Sequence, residues 1–365
     1  VSSILRTSIL TTLATVSLSW GPGAATTADN VLFVSNRDGN AQIYLMKADG
    51  SGQRPLTHTP EENTEPAWSP DGTRIAFTSY RDGNAEIYVM DADGTTQKRL
   101  TSDKFSDNAP TWTPEGRIIF RSSRDRWTNF YIMDADGRNL KQLTGTQVDK
   151  GTPVLSPDGR WIAFVAHGET GSSEIHVMPA AGGEAKNLTG ALSKNKKMAP
   201  SWSPDSKRLM YTEAKDLALN IRVIDPDGGN PGAVTDNVYT NAFPAWSPDG
   251  KRIVFVSSRE GTRTEMARGD IYVMNVDGSG TTNLTRDPGE DNYPAWSADG
   301  STIYFVSLRN GTAQIYSVPA SGGEQRRLSN NKGNDVMIRP QALQTPKVPP
   351  TTERETVAPP RSSAH

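Results

Sequence analysis

The sequence predicts an all-β fold, a β-propeller of seven four-stranded antiparallel blades. Three observations lead there. A short phrase built on Pro-x-Trp-Ser-Pro-Asp-Gly returns along the chain. Each copy is followed by runs of β-branched and aromatic residues, parted by turns rich in Gly, Asp and Asn. The copies stand roughly 45 residues apart, which is the period of propeller blades.

The phrase reads PAWSPDG from Pro66, PTWTPEG from Pro110, PVLSPDG from Pro153, PSWSPDS from Pro200, PAWSPDG from Pro244 and PAWSADG from Pro294. Its aromatic position holds Trp68, Trp112, Trp202, Trp246 and Trp296, with Leu155 as the exception. A large flat apolar body repeated at one blade position is suited to packing between adjacent blades. The Ser-Pro-Asp-Gly portion is turn chemistry, in which Pro fixes φ, Asp bonds nearby backbone and Gly takes a positive φ. After the first copy come a strand at Arg74–Ser79, a turn at 81–84, a second strand at Glu86–Met90, a turn at 91–94 and a short last strand at 98–101. With the strand that carries Trp68, this makes four strands per blade.

The three later strands occur seven times, starting near Val31, Thr73, Arg117, Arg160, Lys207, Lys251 and Ser301. The first set has no Trp phrase before it. Its innermost strand is expected from the segment 335–343, with Pro340 and Ala342 at the Pro and Trp positions. A C-terminal strand completing the N-terminal blade closes the ring and removes free edges.

Composition narrows the function. A formal net charge of −2 gives no basic footprint for nucleic acid, and the absence of Cys excludes disulfides and thiolate metal sites. Residues 1–28 combine a lone Arg6, an apolar and hydroxylated run and small residues, the layout of a secretory signal. That run is too short for a spanning helix. The propeller is expected over 29–343. Residues 344–365, rich in Pro, Thr and Ser, form an expected disordered tail. Export to the periplasm or outside the cell follows.

The Pro-x-Trp-Ser-Pro-Asp-Gly phrase, followed by Ser-x-Arg-Asp-Gly-Asn and Ile-Tyr-x-Met-Asp-x-Asp-Gly, resembles the propeller repeat of the TolB family over about Val31–Leu343. TolB itself is the periplasmic component of the Tol–Pal envelope system. It carries an α/β domain ahead of a six-bladed propeller, where this sequence gives seven blades after a signal-like stretch. Similar repeats occur in tricorn protease and in prolyl-oligopeptidase-like enzymes. The resemblance implies the propeller fold and an envelope scaffold that binds protein segments. The hydrolase elbow G-x-S-x-G of the peptidase relatives is missing from this sequence.

Candidate binding residues come from the loops. The inter-blade loops share little except their closing Pro, and diversity confined to one face of a rigid ring is what a binding surface requires. Glu65, Asp107, Lys150, Lys197, Asn241 and Asp291, close to those prolines, are therefore expected to border the channel mouth. The loops between second and third strands repeat Ser-x-Arg, giving Arg37, Arg81, Arg124, Arg259 and Arg309 as a secondary set. Repetition favours a structural job for them over a ring that holds an acidic polymer. The Asp-x-Asp-Gly turns lack the further ligands of a Ca²⁺ loop. His58, His167, His176 and His365 do not form a spaced metal set, so no metal or cofactor is expected. The expected partner is a protein or peptide segment bound by a monomer. The alternative is a lyase or hydrolase acting on an acidic glycan, with His167, Tyr239, Tyr293 and Arg259 as contributors.

Overall fold

The computed structural model describes residues 30–145, 147–168, 171–190, 195–216, 218–259, 269–287 and 289–342. The expected signal (1–28) and tail (344–365) lie outside them. Among the described residues there are strands and turns and no helix, hence none long and apolar enough to cross a membrane.

The strands form seven separate antiparallel sheets, which are the seven blades. Each inner strand is the one that carries the Trp phrase. These are Asn63–Trp68, Asp107–Trp112, Lys196–Trp202, Asn241–Trp246 and Asp291–Trp296 in blades 2, 3, 5, 6 and 7. In blade 4 the inner strand is broken into Asp149–Lys150 and Val154–Leu155, both paired to Trp161–His167. In blade 1 it is the C-terminal Asp335–Pro340, paired to the N-terminal Asn30–Ser35. The ring is therefore closed as expected, and Gln341 N–H donates to Asn30 C=O where the two ends meet.

The register of that closing strand differs from the expected one by two residues. Ser35 faces Asp335 and Val31 faces Pro340, just as Ser79 faces Asn63 and Ile75 faces Trp68 in blade 2. Ile338 thus fills the Pro slot and Pro340 the Trp slot. In this register Ile338, 2% exposed, lies in the core between blades 7 and 1.

Five inner strands share a β-bulge, between their second and fifth residues in four and their third and sixth in blade 5, and the closing strand has it between its second and fifth. The bulged residue has positive φ: Glu65, Ala109, Ala199, Phe243, Tyr293 and Met337, between 51° and 57°. In five of these strands Pro follows at once, and at a break in the ladder its missing N–H leaves no bond unmade.

The blades pack on one another through this strand. Each inner-strand Trp donates its indole N–H to a carbonyl of the preceding blade: Trp68 to Arg339, Trp112 to Ala67, Trp202 to Val154, Trp246 to Ser201 and Trp296 to Ala245, at 2.9–3.3 Å. The indole body lies in the inter-blade core, so the Trp positions are structural, as the repetition implies. A fully buried aromatic in each second strand (Phe33, Phe77, Phe120, Phe164, Tyr211, Phe255, Phe305) fills the heart of each blade.

Ending the chain after Asn334 removes the inner strand of blade 1, including buried Asp335 and Ile338. We expect a loss of about 3 kcal/mol or more, comparable to truncating a large core side chain, and a lowered melting temperature in thermal unfolding. A truncated chain that melts like the full one would show that closure contributes nothing.

Candidate functional site

The inter-blade loops and the loops between second and third strands share one face, at the end where each inner strand begins. The inner-strand residue paired with the Ser of Ser-x-Arg, or with Ala166 and Glu213 in its place, is polar in every blade: Asn63, Asp107, Lys150, Lys197, Asn241, Asp291 and Asp335. All seven are buried, at 0–2% exposure. Five of the six residues expected to border the mouth (Asp107, Lys150, Lys197, Asn241 and Asp291) are in this layer, under the surface. Glu65 is the bulged residue of blade 2, two positions deeper. Its Oε2 accepts from the Ala109 N–H and from the Thr78 hydroxyl, both at 2.8 Å, tying blade 2 to blade 3.

The buried layer has two chemical solutions. In five blades the Ser-x-Arg guanidinium reaches the inner strand of its own blade: Arg37 to Asp335, Arg81 to Asn63, Arg124 to Asp107, Arg259 to Asn241 and Arg309 to Asp291, at 2.8–3.2 Å. Each Arg Nε also donates to the Ser two residues before it. Each guanidinium stacks 4.4–4.7 Å from the ring of Tyr44, Tyr88, Tyr131, Tyr272 or Tyr316. This secondary set is held inside its own blades. In blades 4 and 5 the Arg position holds Gly168 and Lys215, and there the inner strand supplies the cation itself. Lys197 Nζ pairs with Glu174 at 3.0 Å. Lys150 Nζ donates to Asn129 Oδ1 and to the carbonyls of Thr128 and Val148. Burial pulls the Lys150 ammonium down to about 8.

The exposed rim is one residue earlier on each inner-strand approach: Glu62, Ser106, Asp149, Lys196, Thr240, Glu290 and Asn334, all exposed or half-buried. Opposite them stand exposed Tyr80 and Leu308, each the first residue after its strand, and exposed His167, the last residue of its strand. Over blades 2 to 4 this rim gathers Tyr80, Arg121 and His167. Arg121 Nε donates to Asn108 Oδ1 at 2.8 Å. Desolvation keeps the His167 imidazole below its ordinary value, Asp149 opposes this, and Arg121 and Lys196 add to it. Desolvation and the carboxylates of Glu65 and Glu62 push the Tyr80 phenol up.

Further along the inner strands, the half-buried Phe243 and Tyr293, bulged residues of blades 6 and 7, meet with ring centroids 4.8 Å apart and planes tilted by 57°. Arg339 is on the closing strand, where desolvation pulls its guanidinium down to about 10 against the pull of Glu65. Of the other lyase candidates, Arg259 belongs to its own blade's network and Tyr239 to the loop before blade 6. Among the described residues no group of His, Asp or Glu is arranged to hold a metal ion.

Arg121 and Arg339 carry a signal in the repeat that sequence reading passed over. Arg121 stands in a column otherwise holding Val34, Thr78, Val165, Thr212, Val256 and Val306. Arg339 stands with Ala67, Thr111, Val154, Ser201, Ala245 and Ala295. A lone charge in a column of small or apolar residues marks a local departure from the scaffold.

Comparison with known proteins matches residues 12–120 and 191–345 to the family described as the TolB beta propeller domain. An uncharacterized peptidase, YuxL of Bacillus subtilis (strain 168), is 42% identical over 57 residues, which is 15% of this chain and 8% of that protein. The chain thus matches only a small part of that relative's length. The crystal structure of TolB from Acinetobacter baumannii aligns with TM-score 0.51 and 24% identity, over 70% of this chain and 63% of that one. An oligogalacturonate lyase from Vibrio parahaemolyticus aligns with TM-score 0.62 and 14% identity, over 84% of this chain and 86% of that one. Identities this low show likeness of fold.

The buried layer yields a pH prediction. Burial pushes the Asp107 carboxyl up to about 6, against the pull of Arg124. A carboxyl raised in the folded state contributes stability that is present below its unfolded value near 4 and is lost as pH rises through about 6. Asn63 and Asn241 fill the same position beside Arg81 and Arg259. Asp107→Asn should therefore fold, and should gain about 1–3 kcal/mol over the parent between pH 4 and 7.5. Paired thermal melts at those two pH values measure it, and a difference that shrinks toward neutral pH would refute it.

Proposed function

The chain belongs to the TolB β-propeller family, and from that premise we propose that it binds a protein or peptide segment at the channel mouth, as a scaffold in the periplasm. The observation that carries this is the contrast between two adjacent layers. Beneath the face every blade buries a polar residue in a fixed network. One residue above, the rim is exposed or half-buried and changes chemistry from blade to blade, from Glu62 and Asp149 through Lys196 to Thr240. A rigid underlay presenting a varied, mixed-charge rim is suited to reading a peptide without reorganising on binding. The Phe243–Tyr293 pair supplies an apolar anchor below that rim.

A second reading, a lyase acting on an acidic glycan, draws support from Arg121 beside His167. An imidazole held neutral can accept the proton next to a carboxylate, and a guanidinium can hold that carboxylate. Its test is release of unsaturated product from polygalacturonate, with His167→Ala as the control that must abolish it.

For the leading reading, peptides selected against the full chain from a displayed random library serve as probes. The double variant Glu62→Lys with Lys196→Glu keeps net charge constant and touches two exposed side chains. It should weaken the selected peptides about ten-fold, in the range of a lost charged contact, and leave the melting temperature unchanged. Lys207→Glu with Lys251→Glu, exposed on the opposite face, should leave affinity alone. Peptides that ignore the rim variant, or that respond to the opposite face, would overturn the proposal.

A further inference from the structure

On the opposite face, between blades 5 and 6, a cleft of about 550 Å³ opens over Trp246, walled by Val223, Val276, Pro204 and Pro248. That volume falls in the range of small-ligand sites. Its origin is legible in two of the other junctions. At the junction of blades 2 and 3, Arg74 lays its guanidinium 5.1 Å from the Trp112 ring. At the junction of blades 6 and 7, Arg252 does the same to Trp296 at 5.0 Å. These two indoles are 5% and 0% exposed. In blade 5 the equivalent arginine is Arg208, and it is ion-paired with Asp225 at 2.8 Å. No cation lies over Trp246 among the described residues, and this indole is half-buried.

The charge around the opening completes the picture. Asp205 and Asp249 line the cleft and are exposed, each in a Ser-Pro-Asp turn in which one carboxylate oxygen, Oδ1, accepts the local Ser hydroxyl and a backbone N–H. The one cation in the lining, Arg208, is already matched by Asp225. The cleft therefore has an indole face, apolar walls and two carboxylates at the edge. A planar guanidinium stacks on such a face and pairs with carboxylate more readily than an ammonium does.

We propose that this cleft is a binding site for an arginine side chain of a protein partner, which takes over Trp246 the place that Arg74 and Arg252 take within the chain over Trp112 and Trp296. The site is on the face away from the channel mouth and is independent of what binds there.

The probe is N-acetyl-arginine methylamide, titrated into the full chain while the indole N–H resonance of Trp246 is followed. Trp246→Phe identifies that resonance by its loss. Should that variant fail to fold, Val276→Ala, at an exposed wall of the cleft, identifies it by its shift. The arginine probe should shift the resonance saturably. The citrulline equivalent, isosteric and neutral, should bind at least ten-fold more weakly, and the lysine equivalent several-fold more weakly. Asp205→Asn with Asp249→Asn keeps the oxygen that accepts the turn hydrogen bonds and removes both charges, and should weaken the arginine probe at least five-fold. Equal binding of citrulline or lysine, unchanged affinity in the double variant, or a response confined to other indoles would overturn the proposal.

Discussion

Everything in this molecule depends on closing the ring. Seven sheets can bury both faces only if the last blade packs on the first, and the pairing of Asp335–Pro340 with Asn30–Ser35 makes that junction from the two ends of the propeller. Closure leaves no inner edge free. It also forces every blade to offer nearly the same two faces to its neighbours, so the repeat is a packing requirement before it is anything else. The indole-to-carbonyl bonds show the requirement at work. They occur at five junctions and are missing at two, between blades 3 and 4, where Leu155 replaces Trp, and between blades 7 and 1, where Pro340 does. At the first of these an edge-to-face Phe130–Phe164 pair, centroids 5.1 Å apart, lies in the core between the blades. At the second, the cluster around Phe33, Tyr304, Ile315 and Ile338 does so.

The fold was legible because it rests on packing that repeats. A Trp in five blades and a Ser-Pro-Asp-Gly-type turn after it leave few alternatives, and the count of strand sets gives seven blades directly. The closing strand was legible in place and illegible in register. It has lost both markers of the repeat, with Ile338 in the Pro slot and Pro340 in the Trp slot. The only Pro in the segment then points to an alignment two residues away. Two residues is a full strand period, so side-chain alternation alone does not expose the shift.

The exposure of the candidate residues was misjudged by a single residue for the opposite reason. Asp107, Lys150, Lys197, Asn241 and Asp291 are polar and flank variable loops, which suggests exposure. Their neighbours Ser106, Asp149, Lys196, Thr240 and Glu290 are polar as well, so composition gives no hint of which set faces water. The discriminating signal was covariation within the repeat. Where a blade has Ser-x-Arg, its inner strand begins with Asp or Asn. Where it has Ala-His-Gly or Glu-Ala-Lys, at 166–168 and 213–215, the inner strand brings Lys. Groups that exchange charge from blade to blade are in contact, and contact between loop and strand places both below the surface.

The same logic separates the two faces. On the mouth side, the buried cations among the described residues are matched inside the protein, by a carboxylate, an amide or backbone carbonyls, and what varies is the rim above them. On the far side, the arginine that precedes the Trp112, Trp246 and Trp296 junctions has a choice between the indole of the next blade and an acid of its own. Arg74 and Arg252 take the indole, and Arg208 takes Asp225. Trp246 consequently keeps its place in the inter-blade packing while one face of its ring is left to the cleft. A closed ring tolerates such a departure because the neighbouring blades hold the junction from both sides, and the departure turns a packing residue into a binding surface without altering the fold.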